Sequence, residues 1–271
     1  MGLRINLNAS ALNAHRQLQN TDSAMAASIE RLSSGYRINR AADDPAGLAI
    51  SENLRAQISG LGQASSNSSD AVNLIKTAEG ALSEVHTLLR TMRNLALHAA
   101  NAGANDTTAT EADQAQITSD ITALNRIASN TQFGTKTLLD GTATGLAFQI
   151  GSNANQTTTV DISSVKASDI GVSSIDVTSD AQAAITALDT AISTVSTLRA
   201  NLGATQKDLE SNINSLGVAK ENISASESAI RDVDMADEMV TFTKNQILMQ
   251  AGTSMLTQAN QSPQYLLRLL Q

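Results

Sequence analysis

A mainly α-helical rod with a small β-hairpin region and paired N- and C-terminal helices is the fold this chain predicts. Three observations carry it. Leu188, Val195, Leu202, Leu209, Leu216, Ile223 and Ile230 stand seven apart without a miss, the repeat of a long helix packed along other long helices. Aromatic residues make up 2% of the 271 residues and tryptophan is absent, so a broad core built on large rings is not available. The two prolines, Pro45 and Pro263, both fall outside the interiors of the predicted helices. Abundant Ala, Ser and Thr suit helices lying close together as an antiparallel bundle.

The first helix covers residues 3–32, where Leu7, Ala11, Ala14, Leu18, Met25, Ile29 and Leu32 follow in steps of three and four, with one step of seven from Leu18 to Met25. Thr21 and Asp22 are its weak point. Ser33-Ser34-Gly35 then interrupts the pattern and Asp43-Asp44-Pro45 restarts it. Asp44 is placed to cap a helix, and Pro45 fits a first turn that needs no N–H partner. Arg31, Arg37 and Arg40 make this connector, within Glu30 to Ser51, basic. Beyond it a stripe runs through Leu54, Ile58, Leu61, Val72, Ile75, Leu82, Val85, Leu89, Met92 and Ala96. Its register survives the serine-rich segment Ser65 to Ser69, which predicts a single helix.

A turn at 101–108 leads to a third helix from about Glu111 to Ser129. Glycines punctuate residues 131–180, and Val160 and Ile162 alternate with polar neighbours, predicting one or two β-hairpins. The seven-spaced rod helix follows. The last helix, Met235 to Asn260, carries two rows: Met235, Phe242, Met249 and Leu256, and Val233, Val240 and Ile247. A two-residue offset is about 200° around a helix of about 3.6 residues per turn, so these rows lie on nearly opposite sides. A helix apolar on two sides must be buried on two sides. The N-terminal helix covers one. Other molecules must cover the second, and this predicts polymerisation from spacing alone.

Several function classes are excluded. A net charge of −8 and a pI near 4.8 do not fit a nucleic-acid partner. Without cysteine there is neither a disulfide framework nor a thiolate metal site. No run approaches the roughly 18 apolar residues of a membrane span, and the N-terminal stretch lacks the apolar core of a cleaved secretory signal. His15, His86 and His98 lack the His-Glu-x-x-His spacing of a zinc protease and read as exposed helix residues. Asp232-Val233-Asp234 begins like a calcium loop but lacks its glycine. No catalytic, cofactor-binding or metal-binding residue is predicted, and no enzyme.

ERLSSGYRINRAADDPAGLAIS, TAEGALSEVHTLLRTMRNLALHAAN and NTQFGTKTLLDG closely resemble the N-terminal half of bacterial flagellin. IRDVDMADEMVTFTKNQILMQAGTSMLTQANQSPQYLLRLLQ resembles the family's C-terminal signature. The resemblance implies an inner coiled-coil domain from residues 1–43 and 231–271. It implies an outer rod domain from 44–180, including the hairpins, and 181–230. The stretch between the halves is short, so the chain looks like a minimal form without added outer domains. The resemblance further implies unfolded export through the flagellar type III apparatus, an extracellular filament for motility, and no cofactor. Implied partners are other copies of the chain, an export chaperone at the C-terminal helix, and cap and hook-junction proteins. The alternatives are a hook–filament junction protein of the same superfamily and a secreted coiled-coil adhesin.

Two further expectations concern sites. Arg31, Arg37 and Arg40 are expected to pair with Asp232, Asp234, Asp237 and Glu238 across the two connectors, setting register more than strength. A vertebrate innate-immune receptor grips the family at Leu-Gln-Arg-x-Arg-Glu-Leu, where this chain reads Leu89-Arg90-Thr91-Met92-Arg93-Asn94-Leu95. Arg93 and Leu95 match, whereas Thr91 and Asn94 replace the usual arginine and glutamate, so weak activation is expected.

Overall fold

The computed structural model describes residues 8–269, and side chains from 8 to 261. Five helices and two hairpins follow in order: α1 (Ala9–Ser34), α2 (Pro45–Ala99), α3 (Thr107–Asn130), β1 (Gln132–Phe133), β2 (Lys136–Thr137), β3 (Leu146–Gln149), β4 (Thr157–Val160), α4 (Ala181–Arg231) and α5 (Met235–Leu269). Two compact units emerge. One combines Met1–Ala56 with Asn222–Gln271, and the other is Gln57–Glu221.

Each helix begins immediately after an Asn or Asp. Asn8 accepts from the Ala11 N–H at 3.1 Å, Asp44 from Gly47 at 2.9 Å and Asp106 from Ala109 at 2.8 Å. Asp180 accepts from Ala183 at 3.0 Å and Asp234 from Ala236 at 2.9 Å. Each such bond satisfies a donor that the first turn leaves free, worth about 1 kcal/mol. Asp106 explains why α3 starts a turn before the expected Glu111.

The unit Gln57–Glu221 holds a large aliphatic core. Leu82, Leu89, Ile117, Leu124, Leu138, Leu139, Ile162 and Leu188 are each 0% exposed. Arg93 pairs with Asp189, Arg199 with Glu79 at 3.6 Å, and Asn212 donates to Ser68 at 3.3 Å. As α4 numbers rise, α2 numbers fall, so these helices are antiparallel. α2 stays helical through its serine run, where the Ser68 and Ser69 hydroxyls bond back to the carbonyls of Ala64 and Ser65. Such back-bonds slightly destabilise a helix, so the buried Ala64, Ala71 and Val72 to either side hold it.

Both hairpins are antiparallel, with Phe133 opposite Lys136 and Leu146 opposite Val160. Gly134 at φ +61° turns the first within two residues. Gln114 on α3 clamps the segment before α4, donating to the Ile175 carbonyl at 3.0 Å and accepting from the Val177 N–H at 2.8 Å. Val160 and Ile162 are both buried.

In the other unit α1 and α5 run antiparallel. Asn8 meets Ala259 near one end and Arg31 meets Glu238 near the other. A Cβ on Gly252 would stand 3.1 Å from Leu18 Cδ1, so the glycine lets the two helices approach. Thr21, the expected weak point, is buried, and its hydroxyl bonds to the Gln17 carbonyl at 2.9 Å, leaving α1 unbroken.

Two expectations need correction. Pro263 lies inside α5, which runs on to Leu269 instead of ending at Asn260. A proline supplies no N–H to the carbonyl four residues back. Here that carbonyl belongs to Ala259, and Asn8 Nδ2 donates to it at 2.8 Å, so the loss is compensated. His15 and His98 are exposed on their helices as expected, and His86 is not. His98 Nδ1 lies 2.7 Å from an Asp113 carboxylate oxygen, and His86 is half-buried with a shielded Nδ1.

Candidate functional site

The two apolar rows of α5 have different surroundings. Phe242, Met249 and Leu256 are half-buried, and Met249 lines a groove of about 200 Å³ with Leu18, Gln19, Asp22 and Thr253. Leu18 and Met25 on α1 are half-buried as well. Val240 and Ile247, on the far side of α5, are 69% and 62% exposed. Apolar exposure extends round both flanks: Met235 and Met239 on one, Leu248 and Met255 on the other. On α1, Leu12 and Ile29 are exposed too, while Val233 is half-buried beside the connector. Leu7 lies outside the described residues. Burying one large apolar side chain stabilises by about 1.5–3 kcal/mol. These two helices leave much of that unrealised.

Where α1 passes into α2 and α4 into α5, the two connectors meet. Gly35, at φ +77°, ends α1 in the left-handed conformation, and its N–H bonds to the Arg31 carbonyl at 2.8 Å. Its own carbonyl accepts from the Val233 N–H at 3.0 Å, and the Arg37 N–H donates to the Arg231 carbonyl at 2.7 Å. Tyr36 and Asp232 thus form an isolated antiparallel bridge. Backbone carries the crossing.

Side chains gather around it. Arg231 is half-buried, with its guanidinium carbon 4.7 Å from the centre of the Tyr36 ring and Nη1 donating to Glu52 at 2.8 Å. A cation held over an aromatic face contributes about 0.5–2 kcal/mol. Glu52 also accepts from Arg55 at 3.1 Å. The Arg231 bond first, then Arg55, holds the Glu52 carboxyl below its ordinary range. Arg31 lies 3.6 Å from Glu238, whose side chain is only 10% exposed. The other Glu238 oxygen is shielded and has no partner among the described residues. Losing Arg31 would therefore cost more than breaking an exposed pair at about 0–1 kcal/mol.

The expected pairing is met at one position. Arg37 donates to the Ile230 carbonyl and not to a carboxylate. Arg40 turns back within its own connector to Glu30 at 2.8 Å, a bond that raises its pKa. Asp232 accepts from the Ser228 hydroxyl, and Asp234 is occupied as the α5 cap. Asp237 is exposed in the first turn of α5. Asp44 and Pro45 open α2. A Cβ on Gly47 would stand 2.8 Å from Ile38 Cδ1 and also meet the Asp44 carboxylate, so a larger residue there would displace the capping side chain. Tyr36, Glu52, Arg231, Ile38 and Gly47 escaped the sequence reading. Spacing within one chain does not reveal that residues so far apart in sequence meet.

On the rod, Arg90, Thr91 and Asn94 are exposed. Arg93 is half-buried and bonded to Asp189, which raises its pKa. Leu95 is half-buried against the core.

Matches to known proteins fall on these same segments. The family described as the bacterial flagellin N-terminal helical region matches residues 5–144, and the bacterial flagellin C-terminal helical region matches 185–270. The chain belongs to the bacterial flagellin family. It is 45% identical to a flagellin of Bacillus subtilis (strain 168), covering 99% of this chain and 100% of the relative. It is 47% identical to a flagellin of Halalkalibacterium halodurans, covering 98% and 99%. The crystal structure of Bacillus cereus flagellin aligns with a TM-score of 0.51 at 28% identity, over 56% of this chain and 88% of that one. A putative flagellar hook-associated protein from Vibrio parahaemolyticus aligns with a TM-score of 0.59 over 70% of this chain and 100% of its own. At 15% identity that likeness concerns the fold alone. Flagellins are structural proteins and not enzymes, and this chain is a structural subunit of the extracellular flagellar filament.

Proposed function

We propose that the exposed apolar sides of α1 and α5 are the polymerising surface of the filament subunit. The carrying observation is that Val240, Ile247 and Met255, all on α5, are each more than 60% exposed. Contact with other copies removes them from water, and that burial offsets the entropy of ordering the helices. Phe242, Met249, Leu256, Leu18 and Met25 form the seam within the subunit, while Ile29, Met235, Val240 and Ile247 face its neighbours. The joint at Tyr36, Asp232 and Arg231 holds the two chain crossings together.

The subunit reaches its place unfolded through the flagellar type III apparatus, is met by an export chaperone at the C-terminal helix, and assembles beneath cap proteins onto hook-junction proteins. The adaptable methionines of α5 suit a surface that packs first on one partner and then on another. A vertebrate innate-immune receptor binds the rod weakly, because Arg93 is already committed to Asp189 and Thr91 and Asn94 offer no charge.

Seeded growth tests the main reading. Val240→Asp with Ile247→Asp should leave a folded monomer that no longer extends filament seeds under electron microscopy. Extension at the parent rate would overturn the surface assigned here.

A further inference from the structure

The chain contains no cysteine and no tryptophan. Its thioethers are therefore the side chains most readily oxidised. Four of its seven methionines, Met235, Met239, Met249 and Met255, lie within 21 residues of α5. Among the described methionines their exposure is sharply graded. Met255 is 63% exposed, Met235 and Met239 are each 49%, Met25 and Met249 are half-buried, and Met92 in the rod core is 0%. The three exposed ones stand on both flanks of the helix, bordering Val240 and Ile247, which offer an oxidant nothing to attack.

We infer that Met235, Met239 and Met255 are sites of sulfoxidation by peroxides, and that their oxidation blocks addition of the subunit to the filament. The inference rests on the polymerising surface proposed above. In the step, a thioether lone pair attacks one oxygen of hydrogen peroxide, the O–O bond breaks and the sulfur is oxidised by two electrons. The products are a sulfoxide and water. The change converts a flexible apolar side chain into a polar, chiral one. In the free monomer the new S=O group is solvated and costs little. Pressed against another apolar helix it would lack a hydrogen-bond donor, a penalty that makes growth slower by about tenfold or more. Once assembled, the same sulfurs are covered, so the sensitivity belongs to the free subunit.

Hydrogen peroxide applied to the full-length monomer, followed by peptide mass spectrometry and seeded growth, tests this. Met235, Met239 and Met255 should oxidise first and Met92 last, with extension falling about tenfold or more. Methionine sulfoxide reductases acting on both epimers should restore growth. A variant carrying Met235→Leu, Met239→Leu and Met255→Leu conserves volume, and peroxide should leave its extension at the variant's own untreated rate. Growth of the oxidised parent at the untreated rate overturns the inference. Equal loss in the leucine variant also overturns it, by placing the damage elsewhere. Extension of seeds at the parent rate by the Val240→Asp, Ile247→Asp variant overturns the polymerising surface itself, and this inference with it.

Discussion

The two units solve the same packing problem to different degrees. In Gln57–Glu221 three long helices and two hairpins enclose rows of fully buried leucines, and the unit is complete in itself. In the unit of the terminal helices, Ile38 is the only large apolar side chain below 9% exposure among the described residues. The other buried positions there are Gly47 and the polar Thr21, Ser28, Ser51, Glu238 and Asn245. Both units draw on the same helix vocabulary of caps and heptads. What separates them is how many faces of each helix find a partner within the chain. A seven-residue repeat predicts burial, and it leaves open whose surface does the burying.

Substitutions should separate the two sharply. The largest expected effect is in the rod core, where Leu89→Ala and Leu188→Ala should each destabilise the monomer by about 2–5 kcal/mol, read as a lower urea midpoint. A loss below about 1 kcal/mol would mean the rod is no better packed than the terminal helices. At the joint, Arg231→Ala should cost about 1–3 kcal/mol locally by freeing Glu52 and uncovering Tyr36. Faster amide exchange at residues 35–37 and 232–233, with the rod midpoint unchanged, would show it. Unchanged exchange at the bridge would assign those side chains no part in holding it. Asn8→Ala should free both the α1 N-terminus and the Ala259 carbonyl, at about 1–2 kcal/mol, seen as fraying of α1 and of α5 near residue 259. Fraying at α1 alone would disprove the bridge between them.

The smallest effect is acidic and belongs to the rod unit. Bonds from the Thr142 hydroxyl and N–H hold the Asp140 carboxyl at about 2, and the Ser179 and Thr178 hydroxyls hold Asp176 at about 2. Both values lie below an ordinary aspartate near 3.9. Their contribution is therefore fully present above about pH 4 and is lost as pH falls through about 2. Asp140→Asn with Asp176→Asn should flatten the fall in urea midpoint over that window. An undiminished acid slope would place the sensitivity in other carboxylates.

The helices were legible because their signals are local. Leu188 to Leu216 mark the buried side of α4, Asp44-Pro45 the start of α2, and the double row of α5 its two-sided demand. The end of α5 was misread because the remedy for Pro263 lies at Asn8, at the far end of the chain. The joint was only half legible. Charge suggested that arginines of one connector seek carboxylates of the other, and Arg31 with Glu238 do. The crossing itself is made of backbone N–H and C=O groups, which every residue carries and no composition reveals. Its chief side-chain contact, Arg231 with Tyr36 and Glu52, depends on three segments meeting.

That backbone bridge determines how freely the joint can vary. Hydrogen bonds from the Val233 N–H to Gly35 and from the Arg37 N–H to Arg231 do not depend on which side chains stand at 37, 232 and 233, proline at a donor position excepted, while Arg231 over Tyr36 braces them. Gly35 is different, since a side chain at φ +77° strains the turn even with open space around it. Random mutagenesis selected for motility should therefore return varied residues at 37, 232 and 233, around one glycine that does not change.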